Sequence, residues 1–84
     1  MTQNILVFSS AGCVGCRATT RWLDQRGIEF TTVRVDLLPE AGAKLRSEGH
    51  STLPVVRVTA DDGTETSWAG HRPSRLESTL GGSK

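Results

Sequence analysis

At 84 residues, 36% hydrophobic and 23% charged, the chain has the composition of one small globular domain and no room for a second core. A formal charge of +1 without any basic run leaves no electrostatic footprint for nucleic acid. The N-terminal apolar run, Ile5-Leu6-Val7-Phe8, is too short for a signal-peptide core or a membrane span, which points to the cytoplasm.

That same run reads as a first strand buried on both faces. Ser9 to Gly12 make a polar turn, and a helical pattern starts at Val14. Cys16, Thr19, Thr20 and Leu23 share one side of its wheel, Arg17, Arg21 and Asp24 point elsewhere, Trp22 packs at the edge, and Gly27 stops it. Phe30 to Val35 is the second strand, with Val33 and Val35 on one face. Pro39 opens a second helix that runs to about Glu48, with Ala41 and Leu45 inward and Gly49 at its end. Val55, Val56 and Val58 form a third strand directly after Pro54. Asp61-Asp62-Gly63 is a hairpin signal, and Thr64 to Trp68 returns as the fourth strand. Pro73 opens a last short helix through Leu80.

The order β-α-β-α-β-β-α requires a right-handed crossover between the first two strands and then adds an antiparallel hairpin. The expected architecture is α/β, a four-stranded mixed sheet flanked by helices. Residues 1–80 form the single domain, and the tail Gly81-Gly82-Ser83-Lys84 is expected to be disordered.

Both cysteines of the chain lie in Gly12-Cys13-Val14-Gly15-Cys16-Arg17. A pair this close can staple a loop, contribute to a metal site, or pass electrons. A staple over so short a loop removes little chain entropy, and permanent disulfides are rare in a reducing compartment. A closed zinc site needs four ligands, of which C-x₂-C supplies half; His50 and His71 lie too far apart to complete a finger and read as surface loop residues. An iron–sulfur cluster shared between two chains has no positive signal.

Placement favours electron transfer. Cys13 falls between the first strand and the first helix, where free amides and the positive end of the helix dipole favour thiolate over thiol, and Arg17 adds in the same direction. Cys13 is thus the candidate attacking thiol. Cys16, on the inward face of the helix, is the candidate resolving thiol. Val14 and Gly15 carry no ionisable group and act through shape and backbone freedom; Gly15 either admits a partner's backbone or is simply tolerated. Leu53-Pro54 marks a turn whose peptide bond is open to the cis form, which would leave the preceding backbone free to pair with an extended substrate.

C-V-x-C opening a helix, the stretch Ser51-Thr52-Leu53-Pro54-Val55-Val56, and Ser67-Trp68-Ala69-Gly70-His71-Arg72-Pro73 after the hairpin together resemble the NrdH-redoxin family. That family is a glutaredoxin branch of the thioredoxin fold, and the likeness spans nearly the whole chain, including Val35 to Gly49 around the second helix. The resemblance implies a thiol–disulfide oxidoreductase with no bound cofactor. Its electrons come from thioredoxin reductase, ultimately from NADPH, and go to class Ib ribonucleotide reductase; nothing suggests more than a monomer. It also implies that Cys13 attacks, Cys16 resolves and Pro54 is cis. Thr52 and Leu53 would line the substrate groove, and Trp68, Gly70, Arg72 and Pro73 would shape the surface beside it.

Glutathione-using glutaredoxins usually carry acidic residues where this chain has His71-Arg72-Pro73-Ser74-Arg75, which speaks against glutathione; a carrier reduced by glutathione or another low-molecular-weight thiol is the alternative reading. Two positions depart from the NrdH pattern: Gly15 stands where glutamine is usual, and His71 where a large apolar residue is usual; with Val14, both are expected where a partner docks.

Overall fold

Residues 4–81 are described by the structure, a computed structural model. The chain runs through β1 (Asn4–Ser9), α1 (Val14–Gln25), β2 (Thr31–Arg34), α2 (Pro39–Ser47), β3 (Val55–Thr59), β4 (Glu65–Ala69) and α3 (Pro73–Leu76), then a π-helical turn over Glu77–Gly81. The four strands lie in the order β2-β1-β3-β4. β1 pairs parallel to β2 from Leu6↔Thr31 to Ser9↔Arg34, and antiparallel to β3 from Asn4↔Thr59 to Phe8↔Val55. β4 closes the sheet antiparallel to β3, from Val55↔Ala69 to Thr59↔Glu65. This is the mixed α/β architecture expected from the order of elements.

Strand alternation sends side chains to two cores. Ile5, Val7, Val56, Val58 and Trp68 meet Leu23 of α1 and Leu76 of α3 on one face, with Trp22, Phe30 and Leu80 packed against them. Phe8 and Val55 meet Leu45 of α2 on the other, joined by Leu6, Val33, Val35 and Ala41. β1 and β3 are the central pair, buried on both faces; β1 reads as the continuous apolar run Ile5–Phe8, and β3 as Val55, Val56 and Val58 interrupted by Arg57.

Three element ends and one helix position differ from the sequence reading in ways the contacts explain. β2 loses Phe30 and Val35, because β1 offers a partner only for Thr31–Arg34; Val35 keeps a hydrogen bond from its N–H to the Ser9 carbonyl (2.8 Å) but sits in the turn that follows. β4 shifts one residue along, because Thr64 belongs to the hairpin loop: its N–H donates to Asp62 Oδ1 (2.9 Å) and its carbonyl accepts from Ala60 (2.9 Å). The last helix is α-helical only to Leu76 and then widens into a π turn over Glu77–Gly81. Of the tail expected over Gly81-Gly82-Ser83-Lys84, residues 82–84 lie outside the described residues. Thr20 is half-exposed rather than inward; its hydroxyl donates to the Arg17 carbonyl of its own helix (3.1 Å).

Candidate active site

The carboxyl end of β1 leads through Ser10–Gly12 to Cys13, the N-cap of α1. The Cys13 N–H donates to the Ser10 carbonyl (3.3 Å), and the Cys13 carbonyl accepts from Arg17 (3.2 Å), which turns the chain into the helix. Cys13 and Cys16 are joined as a disulfide, their Cα atoms 5.2 Å apart. The Cys16 N–H donates to Cys13 Sγ (3.1 Å). Cys13 is half-buried, whereas Cys16 is 4% exposed and faces the sheet. Val14, next to Cys13, projects outward at 78% exposure, so an apolar side chain stands beside the more accessible sulfur.

A charged pair at the end of β2 lies beside the Ser10–Gly12 loop. Arg34 donates through Nε and Nη2 to both carboxylate oxygens of Asp36 (2.7 and 2.5 Å), and the Ala11 amide favours the same carboxylate weakly. The hydrogen-bonded Arg34 guanidinium holds the Asp36 carboxyl down at about 2, and the pair raises Arg34 in turn. Neither residue stood out in the sequence, since nothing local joins positions 11 and 36.

On the other side of α1 stands the Leu53–Pro54 peptide, which is cis. Pro54 is fully buried, and its carbonyl accepts from the Gly70 N–H (2.7 Å), extending the β3–β4 pairing by one bond. Gly70 adopts φ +88°, a conformation that glycine takes without a Cβ penalty, and so turns β4 toward α3. Thr52 is exposed and Leu53 half-buried, and among the described residues no backbone hydrogen bond involves either.

Gly15 fills the space between these pieces. A Cβ there would stand 3.2 Å from Pro54 Cδ and 3.5 Å from His71 Cβ. The room it leaves is bordered by this chain's own Pro54 and His71. One turn further along α1, Thr19, fully buried, shares a 2.8 Å hydrogen bond between its Oγ1 and His71 Nδ1. The two positions that depart from the NrdH pattern, Gly15 and His71, therefore lie against each other.

The remaining residues singled out in the sequence fall less close to the sulfurs. Trp68 is 5% exposed within the α1–α3 core, with the Arg75 guanidinium 5.0 Å from its ring centroid; it supports the site from beneath and adds nothing to the surface. Arg72 is exposed, and its Nε donates to the Ala69 carbonyl (3.1 Å), bracing the corner that carries His71. His50 and His71 serve different elements, and among the described residues no group of three or more His, Cys, Asp or Glu is placed to hold a metal ion. No described helix is long and apolar enough to cross a membrane.

Two clefts reach the site. An open polar one of about 560 Å³ includes Cys13, Cys16, Arg17, Thr20, Thr32 and Arg34. A smaller, more apolar one of about 150 Å³ runs between α2 and Thr52–Leu53, with Arg46 and His50 at its rim.

A redox disulfide at the N-cap of the first helix, beside a cis proline that opens the third strand of this mixed sheet, defines a thiol–disulfide oxidoreductase of the thioredoxin fold. The glutaredoxin family model matches residues 5–62. The chain is 40% identical over 74 residues to the glutaredoxin-like protein NrdH of Salmonella typhimurium, covering 88% of this chain and 85% of that one. It is 32% identical over 72 residues to the Lactococcus lactis subsp. cremoris NrdH, at 86% and 93% coverage. Among solved structures, the NrdH-redoxin of Escherichia coli superposes with a TM-score of 0.79 at 37% identity, over 90% of this chain and 93% of that one. The chain belongs to the glutaredoxin family and, within it, to the NrdH-redoxins.

Proposed function

We propose that this protein is a small dithiol electron carrier, reduced by thioredoxin reductase at the expense of NADPH, that delivers electrons to class Ib ribonucleotide reductase. It acts in the cytoplasm as a monomer, and its only redox group is the Cys13–Cys16 pair. The observation that carries the reading is the asymmetry of that pair: a half-buried sulfur at a helix N-cap, accepting from an amide 3.1 Å away, against a partner 4% exposed. The amide and the helix N-terminus stabilise negative charge on Cys13 once it is reduced.

The reduced Cys13 thiolate attacks one sulfur of a substrate disulfide. That bond breaks, the other substrate sulfur leaves as thiolate, and a Cys13–substrate mixed disulfide forms. Cys16, as thiolate, then attacks the Cys13 sulfur; the mixed disulfide breaks, the second substrate thiolate leaves, and the Cys13–Cys16 bond forms. Two electrons have passed to the substrate, and solvent supplies its protons. An extended substrate segment would pair with the backbone of Thr52 and Leu53, which makes no backbone hydrogen bond among the described residues, with exposed Val14 as an apolar contact; both features support this reading.

The E. coli NrdH-redoxin is described as a glutaredoxin-like protein with a thioredoxin-like activity profile, and the likeness to it supports thioredoxin reductase over glutathione. The corner His71–Arg75 points the same way, because it offers no carboxylate to a small thiol's amino group. The test is NADPH consumption with a disulfide substrate and either thioredoxin reductase or glutathione plus glutathione reductase. Turnover with thioredoxin reductase alone is expected. Turnover with glutathione alone would make the protein a glutathione-dependent glutaredoxin.

A further inference from the structure

The β4–α3 corner touches both halves of the groove at once. Gly70 donates its N–H to the Pro54 carbonyl (2.7 Å), which fixes the corner to the cis-proline strand end. The next residue, His71, packs its Cβ 3.5 Å from where a Gly15 Cβ would be and shares the 2.8 Å Nδ1–Oγ1 hydrogen bond with Thr19. Gly15 and Thr19 are one turn apart on α1, so His71 lies along the same helix face that carries the cysteine pair toward Pro54. Thr19 is fully buried, and His71 Nδ1 is its hydroxyl's only hydrogen-bond partner among the described residues. A buried hydroxyl deprived of its partner is costly, so this contact has one favoured geometry rather than a range.

We propose that His71 is a positioning residue for protein-disulfide exchange: through Thr19 it sets the distance between the cysteine-bearing helix and the Pro54 strand end. The inference rests on the reading of the protein as a carrier that reduces protein disulfides. A protein substrate must pair its backbone with Thr52–Leu53 while its sulfur meets Cys13, so it reads that distance. A small aromatic disulfide needs only Cys13 and does not. The fixed spacing therefore selects extended polypeptide disulfides over small ones, and it does so through a contact that never touches the substrate.

The experiment compares the pre-reduced wild-type protein with Thr19→Val, Thr19→Ser, His71→Phe and His71→Asn. Each is mixed in single turnover with insulin as the protein disulfide and with dithiobis(nitrobenzoate) as the small one. Thr19→Val and His71→Phe keep the side-chain bulk and remove the hydrogen bond; the ratio of insulin to small-disulfide reactivity should fall roughly fivefold, as loss of about one hydrogen bond implies. The loss should lie in the insulin concentration at half-saturation and not in the limiting rate, as expected when binding alone is weakened. Thr19→Ser, which keeps the hydroxyl, and His71→Asn, whose amide reaches the Nδ1 position, should restore most of the ratio. General loosening of the fold would lower both reactivities together, and an unchanged ratio in Thr19→Val and His71→Phe would overturn the proposal. A wild-type protein that reduces the small disulfide but not insulin would instead overturn the protein-disulfide reading, and this inference with it.

Discussion

On one side of the Cys13–Cys16 disulfide the chain is close-packed: Pro54 is fully buried, Gly15 leaves no more room than Pro54 and His71 occupy, and Thr19 is buried beside them. On the other side the same helix borders an open polar cleft of about 560 Å³ that reaches Cys16 between Thr20, Thr32 and Arg34. The difference matches two tasks in one reaction. A substrate chain has to be held in register, which needs a rigid wall, whereas a buried resolving thiol has to exchange protons, which needs access to water. The packed side is held by van der Waals contact and short backbone hydrogen bonds. The wet side carries one exposed ion pair, Arg34–Asp36, where β2 passes into its turn beside the loop ahead of Cys13.

Both sides lean on α1, and Leu23, fully buried, seats that helix on the sheet. Leu23→Ala should have the largest effect and blur the contrast altogether, at a cost of about 3 kcal/mol in chemical unfolding. Gly15→Val attacks the packed side alone. With a Cβ at 3.2 Å from Pro54 Cδ and two further carbons to place, it should lose about 1–2 kcal/mol to overpacking and slow insulin reduction more than small-disulfide reduction.

On the wet side, the Arg34 bond gives Asp36 a folded-state pKa of about 2, below its ordinary value of 3.8. A depressed carboxylate contributes stability that is fully present above the unfolded pKa and is lost as pH falls through the folded one. Unfolding midpoints should therefore decline between about pH 4 and pH 2 more steeply in the wild-type protein than in Asp36→Asn. Parallel curves would remove Asp36 from the account. Thr20→Val should have the smallest effect, within about 0.5 kcal/mol, because its hydroxyl returns to its own helix and the cleft beside it is open.

Much of this was readable in one dimension. The continuous apolar run Ile5–Phe8 and the residues Val55, Val56 and Val58 after Pro54 mark the two central strands, whose faces are both covered. The cysteine spacing together with the strand-to-helix switch located the redox pair, and Pro54 and Gly70 were singled out before their contact was seen. The missing parts depend on contacts between distant positions. Thr19 and His71 lie 52 residues apart, and Ala11 and Asp36 meet only because β2 runs parallel to β1. The sequence leaves Trp68 open between surface contact and core, because an aromatic near a site reads equally well as either; the Val56↔Trp68 register, on the face of Leu23 and Leu76, puts it in the core. The widening of the last helix into a π turn left no mark in the residue pattern.

The central claim is that the two cysteines are unequal, and trapping tests it most directly. Cys16→Ser and Cys13→Ser are each reduced, mixed with insulin, quenched, and examined by mass spectrometry. The account predicts a stable mixed disulfide at Cys13 in Cys16→Ser and almost no adduct in Cys13→Ser, whose remaining thiol is buried. Adducts forming at equal rates in both variants, or full insulin turnover by Cys16→Ser, would contradict it.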